Sequence, residues 1–252
     1  MAGVLPDFQE GRKDISMTST STAPIVITPP PLDRSRHAAP QVFEHLRELI
    51  IGMRLAPATV LQRAELAAQY GLSQTPIRDA LIKLGEEGLV DIFPQHATVV
   101  SAVNVTLARQ AHFLRRSIEL EIVHTLAVQV DAALVNRLRD SIEVQRVLAG
   151  RENYAEFVLA DQAFHRQMYE AAQVPELWSM VRRQSGHLDR LRNLHVPIPG
   201  KTARVLRDHA AIVDAIAAGD PAAAQAALRE HLSGTLAQLE EIRQRFPHYV
   251  KD

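Results

Sequence analysis

The stretch LAAQYGLSQTPIRDALIKL, residues 66–84, decides the fold of the first part of this chain. At its centre, Gly71-Leu72-Ser73 combines a glycine that can end a helix, an apolar residue that can enter the core, and a hydroxyl that can cap the next helix. Pro76 lies in the first turn of that next helix, where its missing N–H is harmless. One face of the helix carries three apolar residues, Ala80, Leu81 and Leu84. This pattern predicts two crossed helices joined by a tight turn, a helix-turn-helix.

The residues around this stretch complete a small domain over residues 39–102. An amphipathic helix precedes it, with apolar positions at Val42, Leu46, Leu49 and Ile50. Two β-like runs follow at 89–93 and 97–101, and the Pro94-Gln95-His96 segment between them predicts a β-hairpin wing. Residues 1–38 are rich in Ser, Thr and Pro, and we expect them to form a disordered tail.

Helical spacing of apolar residues over 104–246 predicts a second, all-helical domain. Breaks near 130–131, 150, 174–175, 197–200 and 219–221 divide it into six antiparallel helices, and Asn104 is a favourable N-cap for the first of them. The expected fold class is therefore mainly α, with an N-terminal winged helix-turn-helix and its small β-hairpin wing, followed by an all-α antiparallel helical bundle.

Composition excludes several kinds of protein. The chain has 252 residues, 46% of them hydrophobic, which is enough for two packed cores. It contains no cysteine, so disulfides and thiolate metal sites are excluded and a metal must use His, Asp or Glu. The sequence shows neither a membrane span nor a secretory leader, and we expect a cytoplasmic protein without a membrane partner. The formal net charge of −1 argues against non-specific coating of nucleic acid.

The exposed side of the second helix offers side chains suited to DNA. Arg78 can reach a phosphate or a guanine edge, and Ser73, Gln74 and Thr75 lie at the start of the same helix, where hydroxyl and amide groups can bond to DNA. His96 at the tip of the wing can approach the DNA backbone or the minor groove. The same residues also suit an ordinary solvated helix face, and residues 34–101 carry seven Lys or Arg against seven Asp or Glu. Charge does not decide between these interpretations.

Four residues of the helical domain have the spacing of metal ligands. Asp161 and His165 are four apart and share one helix face. His209 and His231 each lie eleven residues from Asp220, so an antiparallel pair of helices turning at Asp220 places them at the same level. Three His and one carboxylate suit Zn²⁺, and equally Ni²⁺ or Mn²⁺ in octahedral coordination. Among eleven histidines such spacings also arise by chance, and His112, His124, His187 and His195 show no convincing pattern.

The first domain resembles the winged-helix domain of the GntR family of transcription regulators. The resemblance rests on residues 41–52, 66–71, 73–84 and 87–90, above all on the pattern Ser-x-Thr-Pro-Ile-Arg-Asp-Ala-Leu that begins at Ser73. It implies binding to double-stranded DNA. Two positions depart from the usual family pattern: Gln74 replaces a common arginine, and His96-Ala97 replaces a basic residue followed by glycine. These departures imply an altered operator preference or a lower affinity.

The second domain resembles the ligand-binding domain of the FadR-like (FCD) subgroup of this family. Asp161-Gln-Ala-Phe-His165 and the segment from His209 to His231-Leu232 carry the resemblance. In many members the matching Asp and three His bind a divalent metal, whose open positions receive the carboxylate of a small organic acid. Arg115 matches an arginine of the subgroup that can pair with this effector, although an i,i+4 salt bridge to Glu119 accounts for it equally well. Val174 departs from a common Asn.

Together these features predict a metabolite-responsive regulator, a repressor in most such proteins, that binds a palindromic operator as a homodimer. Effector binding is expected to change the spacing of the two DNA-reading heads and so the operator affinity. The alternative is a metal-dependent hydrolase or lyase in the helical domain, but Glu119 and Glu121 lie in no recognisable catalytic motif. A scaffold protein with a structural metal differs in showing neither a DNA footprint nor a response to an effector.

Overall fold

The computed structural model describes residues 26–93 and 97–252, in which an N-terminal domain of helices and short strands precedes a helical domain. The N-terminal domain contains helices α1 (Ala38–Ile51), α2 (Arg63–Tyr70) and α3 (Gln74–Glu86) and strands β1 (Val60–Leu61), β2 (Val90–Ile92) and β3 (Thr98–Val100). The strands form one antiparallel sheet in the order β1-β3-β2. The helix-turn-helix and the two wing strands are confirmed, whereas β1 was not predicted because two residues show no period.

The turn between α2 and α3 follows the sequence prediction in most respects. Gly71 ends α2 in the left-handed conformation at φ 63°, and Leu72 packs against the core of the domain. Ala80, Leu81 and Leu84 are buried beneath α3. Ser73 stands at the N-cap position, but its side chain makes no capping hydrogen bond, so the predicted hydroxyl cap is wrong. The exposed hydroxyl is left free at the surface.

The described part of the predicted disordered tail packs against the domain. Ile27 is buried in the core, and its backbone N–H donates to Gln69 Oε1 at 2.9 Å. The expectation of disorder is therefore wrong at this position, because an apolar residue here covers the end of α2 and buries surface that water would otherwise contact. Residues 1–25 of the predicted tail lie outside the described part of the chain.

The helical domain has eight helices within 97–252, all of which the structure describes, rather than the six predicted. They are α4 (Val105–Val128), α5 (Ala132–Gly150), α6 (Tyr154–Ala171), α7 (Pro175–Gln184), α8 (Gly186–His195), α9 (Lys201–Ala217), α10 (Pro221–Ala237) and α11 (Leu239–Arg245). The breaks that were not predicted fall at Ser185 and Gln238. A Cβ on Gly186 would lie 2.9 Å from a Leu89 methyl carbon, so the break at Ser185 lets α8 approach the N-terminal domain closely. No helix of the described chain is long and apolar enough to cross a membrane.

Polar side chains fix the start of several of these helices. Asn104 accepts a hydrogen bond from the backbone N–H of Leu107, which confirms its predicted role as the N-cap of α4. Asp131 caps α5, Asn153 caps α6 and Asp220 caps α10 in the same way. Each cap satisfies a backbone N–H that the helix itself leaves unpaired. The caps therefore determine where the helices of the bundle begin.

A short parallel sheet ties the end of the chain to the segment that joins the domains. Strand β4 (Val103–Asn104) pairs with β5 (Val250–Lys251), and the N–H of Val103 donates to the carbonyl of Tyr249 at 2.7 Å. Val103 is fully buried among apolar residues of α4, α8 and α11. The link between the domains is thus a packed strand rather than a free linker, which limits how the domains move relative to each other.

The core of the N-terminal domain makes a direct prediction for stability. Leu84 is fully buried, so Leu84→Ala is expected to lower the free energy of unfolding by about 2–5 kcal/mol. Ile82 on the same helix is 40% exposed, and Ile82→Ala is expected to cost less than about 1 kcal/mol. Urea denaturation measures both variants. Equal losses in the two would contradict the packing of α3 described above.

Candidate metal centre and nucleic-acid interface

Three helices bring the four candidate metal ligands together in the interior of the bundle. Asp161 and His165 lie on α6, His209 on α9 and His231 on α10, and all four are buried. Their ligand atoms all lie within 4.8 Å of one another. Gly219 at φ 67° and the cap Asp220 turn the chain between α9 and α10, so the two histidines face each other as their spacing predicts.

The Nε2 atoms of the three histidines converge. His231 Nε2 lies 3.1 Å from His165 Nε2 and 3.3 Å from His209 Nε2. Two nitrogens that share one ion at 2.0–2.1 Å lie about 2.9 Å apart at octahedral angles and about 3.3 Å apart at tetrahedral angles. Asp161 Oδ1 completes the cluster at 3.6 Å from His209 Nε2. The three distances are therefore close to those between ligands that share one divalent cation.

An oxygen atom lies near the second ring nitrogen of each histidine. His209 Nδ1 is 2.9 Å from Gln145 Oε1, and His165 Nδ1 is 3.0 Å from Glu119 Oε2. His231 Nδ1 is 3.7 Å from Asp208 Oδ2, a longer contact. The Gln145 contact is a hydrogen bond that orients the His209 ring and keeps its proton on Nδ1, which leaves the lone pair of Nε2 free for a metal. The Nδ1 atoms of His165 and His231 have a carboxylate nearby but make no hydrogen bond among the described residues. Sequence reasoning missed Gln145 and Asp208, because neither lies in a motif and only the fold brings Gln145 on α5 to His209.

The charge states of the cluster suit metal binding. Burial raises the pKa of Asp161, but Arg192, which bonds directly to its Oδ2, and the nearby histidines outweigh this effect and hold the pKa well below its usual value. Burial lowers the pKa of His231 to about 4, and burial together with His231 lowers the pKa of His209 well below its usual value. At neutral pH the centre therefore presents an ionised Asp161 carboxylate and neutral His209 and His231 imidazoles, which is the protonation state that metals bind.

A narrow cavity opens beside this cluster. Its lining includes the ligands Asp161 and His231, and three cationic side chains, Arg115, Arg192 and Lys201. The cavity volume is about 30 Å³, room for no more than a few water molecules, so a larger ligand has to displace side chains. Arg115 is buried and its Nε donates to Glu119 Oε1 at 2.7 Å. The structure thus contains the i,i+4 pair with Glu119, and Arg115 also lines the cavity beside the metal ligands. Its pairing with an effector stays a prediction.

The first turns of α3 form the candidate nucleic-acid interface. Ser73, Gln74, Thr75 and Arg78 are all exposed there. Gln74 and Arg78, one helical turn apart, line a surface groove of about 740 Å³ between α2, α3 and the sheet. Arg63 at the start of α2 lines the same groove and adds a second cation that sequence reasoning missed. Arg63 was missed because it lies outside the helix-turn-helix motif, and only the fold brings it to the groove beside α3. His96 lies outside the described residues.

Two further histidines are buried away from the cluster. Burial, followed by the charges of Arg190 and Lys251, lowers the pKa of His187 to about 4, and its Nδ1 accepts a hydrogen bond from the backbone N–H of Asn104 at 3.1 Å. Burial, followed by the nearby Lys201 and Arg204, lowers the pKa of His195 to about 4. Both side chains lie on α8. His187 lies where the two domains meet, and neither histidine belongs to the cluster of four candidate ligands.

Known proteins match both domains. The family described as bacterial regulatory proteins, gntR family, matches residues 38–100, and the FCD domain matches residues 110–234. An HTH-type transcriptional regulator in an unstable DNA locus of Streptomyces ambofaciens is 36% identical over 208 residues, 82% of this chain and 86% of that protein. The HTH-type transcriptional repressor RspR of Escherichia coli strain K12 is 27% identical over 204 residues, 81% and 90% of the two chains. The solved structure of E. coli McbR/YncC, 21% identical, shares the fold with a TM-score of 0.67 over 82% of this chain and 98% of that one.

The buried histidines of α8 predict a loss of stability in weak acid. In the folded protein the pKa of His187 is about 4, whereas in the unfolded chain it returns towards 6.5. As the pH falls below 6.5, the unfolded state therefore takes up the proton first, and stability that is fully present at pH 7 is lost towards pH 4. We expect the free energy of unfolding to fall between pH 7 and pH 5, with about 1–2 kcal/mol of this fall due to His187.

Urea denaturation at both pH values measures the effect. In His187→Asn the free energy of unfolding is expected to fall less between pH 7 and pH 5 than in the unmodified protein, because the asparagine side chain does not titrate. His248 is exposed, so the control His248→Asn is expected to keep the full fall of the unmodified protein. A pH profile of His187→Asn that is parallel to that of the unmodified protein would contradict the assignment.

Proposed function

The chain belongs to the GntR family of bacterial regulatory proteins and is a DNA-binding transcriptional regulator with an FCD domain; we propose that it is a repressor controlled by a divalent metal and a small carboxylate effector. The family resemblance stated for both domains is confirmed, and the relatives are transcription regulators rather than enzymes. They give no support to a hydrolase or lyase in the helical domain. The proposed site of action is the bacterial cytoplasm, where the chromosome lies.

The observation that carries the metal proposal is the convergence of three Nε2 atoms and one carboxylate oxygen, with an oxygen near each Nδ1. Zn²⁺ suits the set in tetrahedral form, whereas octahedral Ni²⁺ or Mn²⁺ leaves two positions open. The bound ion would supply positive charge that attracts a carboxylate. Asp161, His165, His209 and His231 would hold the ion, while Gln145 orients the His209 ring and the carboxylates of Glu119 and Asp208 lie near the rings of His165 and His231.

The effector proposal rests on the cavity beside these ligands. Arg115 and Arg192 both face it, and guanidinium groups bind carboxylates through paired hydrogen bonds. Each already bonds a carboxylate of the protein, Glu119 and Asp161 respectively. An effector carboxylate therefore has to compete with an internal one. This competition gives effector binding a way to rearrange the contacts of α8, which carries Arg192.

Polar contacts connect Arg192 to the joint between α7 and α8. Arg192 Nη1 lies 3.5 Å from Asp189 Oδ1, and Asp189 Oδ2 accepts hydrogen bonds from Arg182 Nη1 and from Ser185 Oγ, both at 2.6 Å. Asp189 is buried, and although burial raises its pKa, Arg182 and Arg192 hold the pKa below its usual value. The carboxylate thus stays ionised between two arginines. A change at Arg192 alters the balance of charge at this joint.

From this joint the contacts continue into the N-terminal domain. Arg47 on α1 donates from Nη2 to the backbone carbonyl of Arg182 at 2.6 Å and from Nε to Glu87 Oε2 at 2.6 Å. Glu87 is the C-cap residue of α3, the helix that carries Arg78. We call the series from Asp161 through Arg192, Asp189, Arg182 and Arg47 to Glu87 the α8 contact chain. We propose that it couples the metal and effector site to the position of α3.

Regulators of this family bind DNA and typically dimerise. We propose that two copies present their α3 helices to the two halves of a palindromic operator, with Arg78, Gln74, Thr75 and Ser73 as the contacting residues and His96 on the wing. One α3 alone offers too few contacts for a specific site, and a two-fold pair doubles them. Gln74 lacks the charge of the arginine common in the family, so Arg78 and Arg63 supply the cations of this groove.

The metal proposal predicts stabilisation by divalent ions. Protein without an affinity tag is stripped with a chelator, and melting temperatures are measured with Zn²⁺, Ni²⁺ or Mn²⁺. An ion present at 100 times its dissociation constant adds about 2.7 kcal/mol, and we expect a rise of about 5–10 °C. Mass spectrometry under native conditions is expected to show one ion per chain.

Two variants separate the centre from other histidines. In His231→Asn the ion is expected to lose most of its stabilising effect, because the shorter side chain cannot place a nitrogen at the position of Nε2. The exposed His248 provides the matched control, and His248→Asn is expected to respond like the unmodified protein. If none of the three ions raised the melting temperature of the unmodified protein, the metal proposal would be wrong.

The proposed interface predicts the effect of Arg78→Ala on DNA binding. Genomic fragments captured by the purified protein are expected to share a short palindrome, which footprinting on a cloned fragment then defines. Arg78→Ala is expected to weaken binding to it by about 1–3 kcal/mol, roughly 5–150-fold. The control Arg109→Ala removes the same charge from an exposed site on α4 and is expected to bind normally. Failure to enrich any palindrome at low salt would rule out the proposed mode of recognition.

A further inference from the structure

Lys201 is the third cationic side chain that lines the effector cavity. It begins α9 and lines the cavity together with Arg115 and Arg192. Both arginines bond to carboxylates, Glu119 and Asp161. By contrast, among residues 26–93 and 97–252 the structure shows neither a hydrogen bond nor an ion pair for Lys201 Nζ. Its charge is therefore the one cation of the cavity lining that the described protein does not neutralise by direct contact.

The backbone of α10 makes room for this ammonium group. Gly234 is buried, and a Cβ on it would lie 3.0 Å from Lys201 Nζ, tighter than side chains normally tolerate. Any larger residue at this position would push the ammonium group away from α10. A glycine in the middle of a helix lowers the stability of the fold by about 1 kcal/mol relative to alanine. Here the missing side chain of Gly234 leaves the space in which Lys201 Nζ reaches the cavity. Thr235, the next residue, is buried and also lines the cavity.

The surroundings of Lys201 disfavour its charge. Burial, followed by the positive charges of Arg192 and Arg204, lowers its pKa to about 8, so that most of the side chain is still protonated at neutral pH. A partly buried ammonium group near other cations gains strongly from an anion placed beside it. Asp161 and Asp208 attract this charge, but neither carboxylate is in direct contact with Nζ in the described part of the chain, and the carboxylate of a monoacid bound at the metal would leave that contact unmade. A ligand with a second acidic group would supply it.

We propose that Lys201 binds a second anionic group of the effector, which makes the effector a dicarboxylate rather than a monocarboxylate. The inference rests on the proposed metal and effector site: one carboxylate faces the metal ligands and Arg192, and the other meets Lys201 with Thr235 beside it. Lys201 then sets specificity, because a monoacid of the same length leaves the ammonium group desolvated and unpaired.

Calorimetry with matched pairs of acids tests the inference. Chelator-stripped protein is reloaded with the ion that stabilises it most and titrated with succinate against butyrate and with glutarate against valerate, so that each pair differs only in the second acid. We expect at least one diacid to bind at least about tenfold more tightly than its partner, the gain of a charged hydrogen bond. Lys201→Met is expected to remove this preference, and Lys201→Arg to retain most of it.

The outcomes separate the inference from the proposed function. The role of Lys201 would be wrong if the unmodified protein bound monoacids and diacids equally well and Lys201→Met bound them with unchanged affinities. The proposed carboxylate site would not be affected by this result. Binding of none of the four acids to the metal-loaded protein would overturn both. The melting temperature of metal-loaded Lys201→Met without ligand serves as the folding control, and we expect it to equal or exceed that of the unmodified protein, because an unpaired cation is removed.

Discussion

The structure of the helical domain depends on the burial of three imidazoles and a carboxylate in one cluster. Polar groups removed from water destabilise a fold unless each finds a partner, and here Arg192, Gln145 and Glu119 lie beside Asp161, His209 and His165. These partners come from three other helices, α8, α5 and α4. The cluster therefore fixes how those helices approach α6, α9 and α10. An apolar core would not impose such a specific geometry on the helices. The proposed cation, shared by the four residues, is the ligand that best suits this geometry.

Helix α8 transmits this geometry to the rest of the molecule. On one side Arg192 holds Asp161, and on the other Asn193 donates to the carbonyl of Ile51 in α1 at 3.0 Å. Arg190 is fully buried and donates to the carbonyl of Ser101 at 2.6 Å, beside the strand that joins the domains. A helix held on more than one side by directional bonds moves as a unit. If Asp161 released Arg192 and bound a cation instead, these restraints on α8 would change. In this way a buried centre can act on a distant DNA-reading helix.

Much of this architecture is predictable from local pattern. Sequence periodicity reveals features that depend on residues near one another in the chain. These are the turn at Gly71-Leu72-Ser73, the apolar face of α3, and the equal spacing of His209 and His231 about Asp220. The break at Ser185 and the β4–β5 pair depend on contacts between distant segments, Gly186 with Leu89 and Val103 with Tyr249. Gln145 and Lys201 belong to the site only because the bundle brings their helices to it. Neither residue type nor spacing could reveal them.

The central claim is that the centre in the helical domain controls DNA reading through α8. Its most direct test is the operator dissociation constant, measured by fluorescence anisotropy for chelator-stripped and metal-loaded protein, with the unmodified chain and with Arg47→Met. The account predicts that metal changes the operator affinity of the unmodified protein by about 5–150-fold, and that Arg47→Met loses most of this change while still binding the operator. The claim would be contradicted if metal left the operator affinity of the unmodified protein unchanged, or if metal changed the operator affinity of Arg47→Met by as much as that of the unmodified protein.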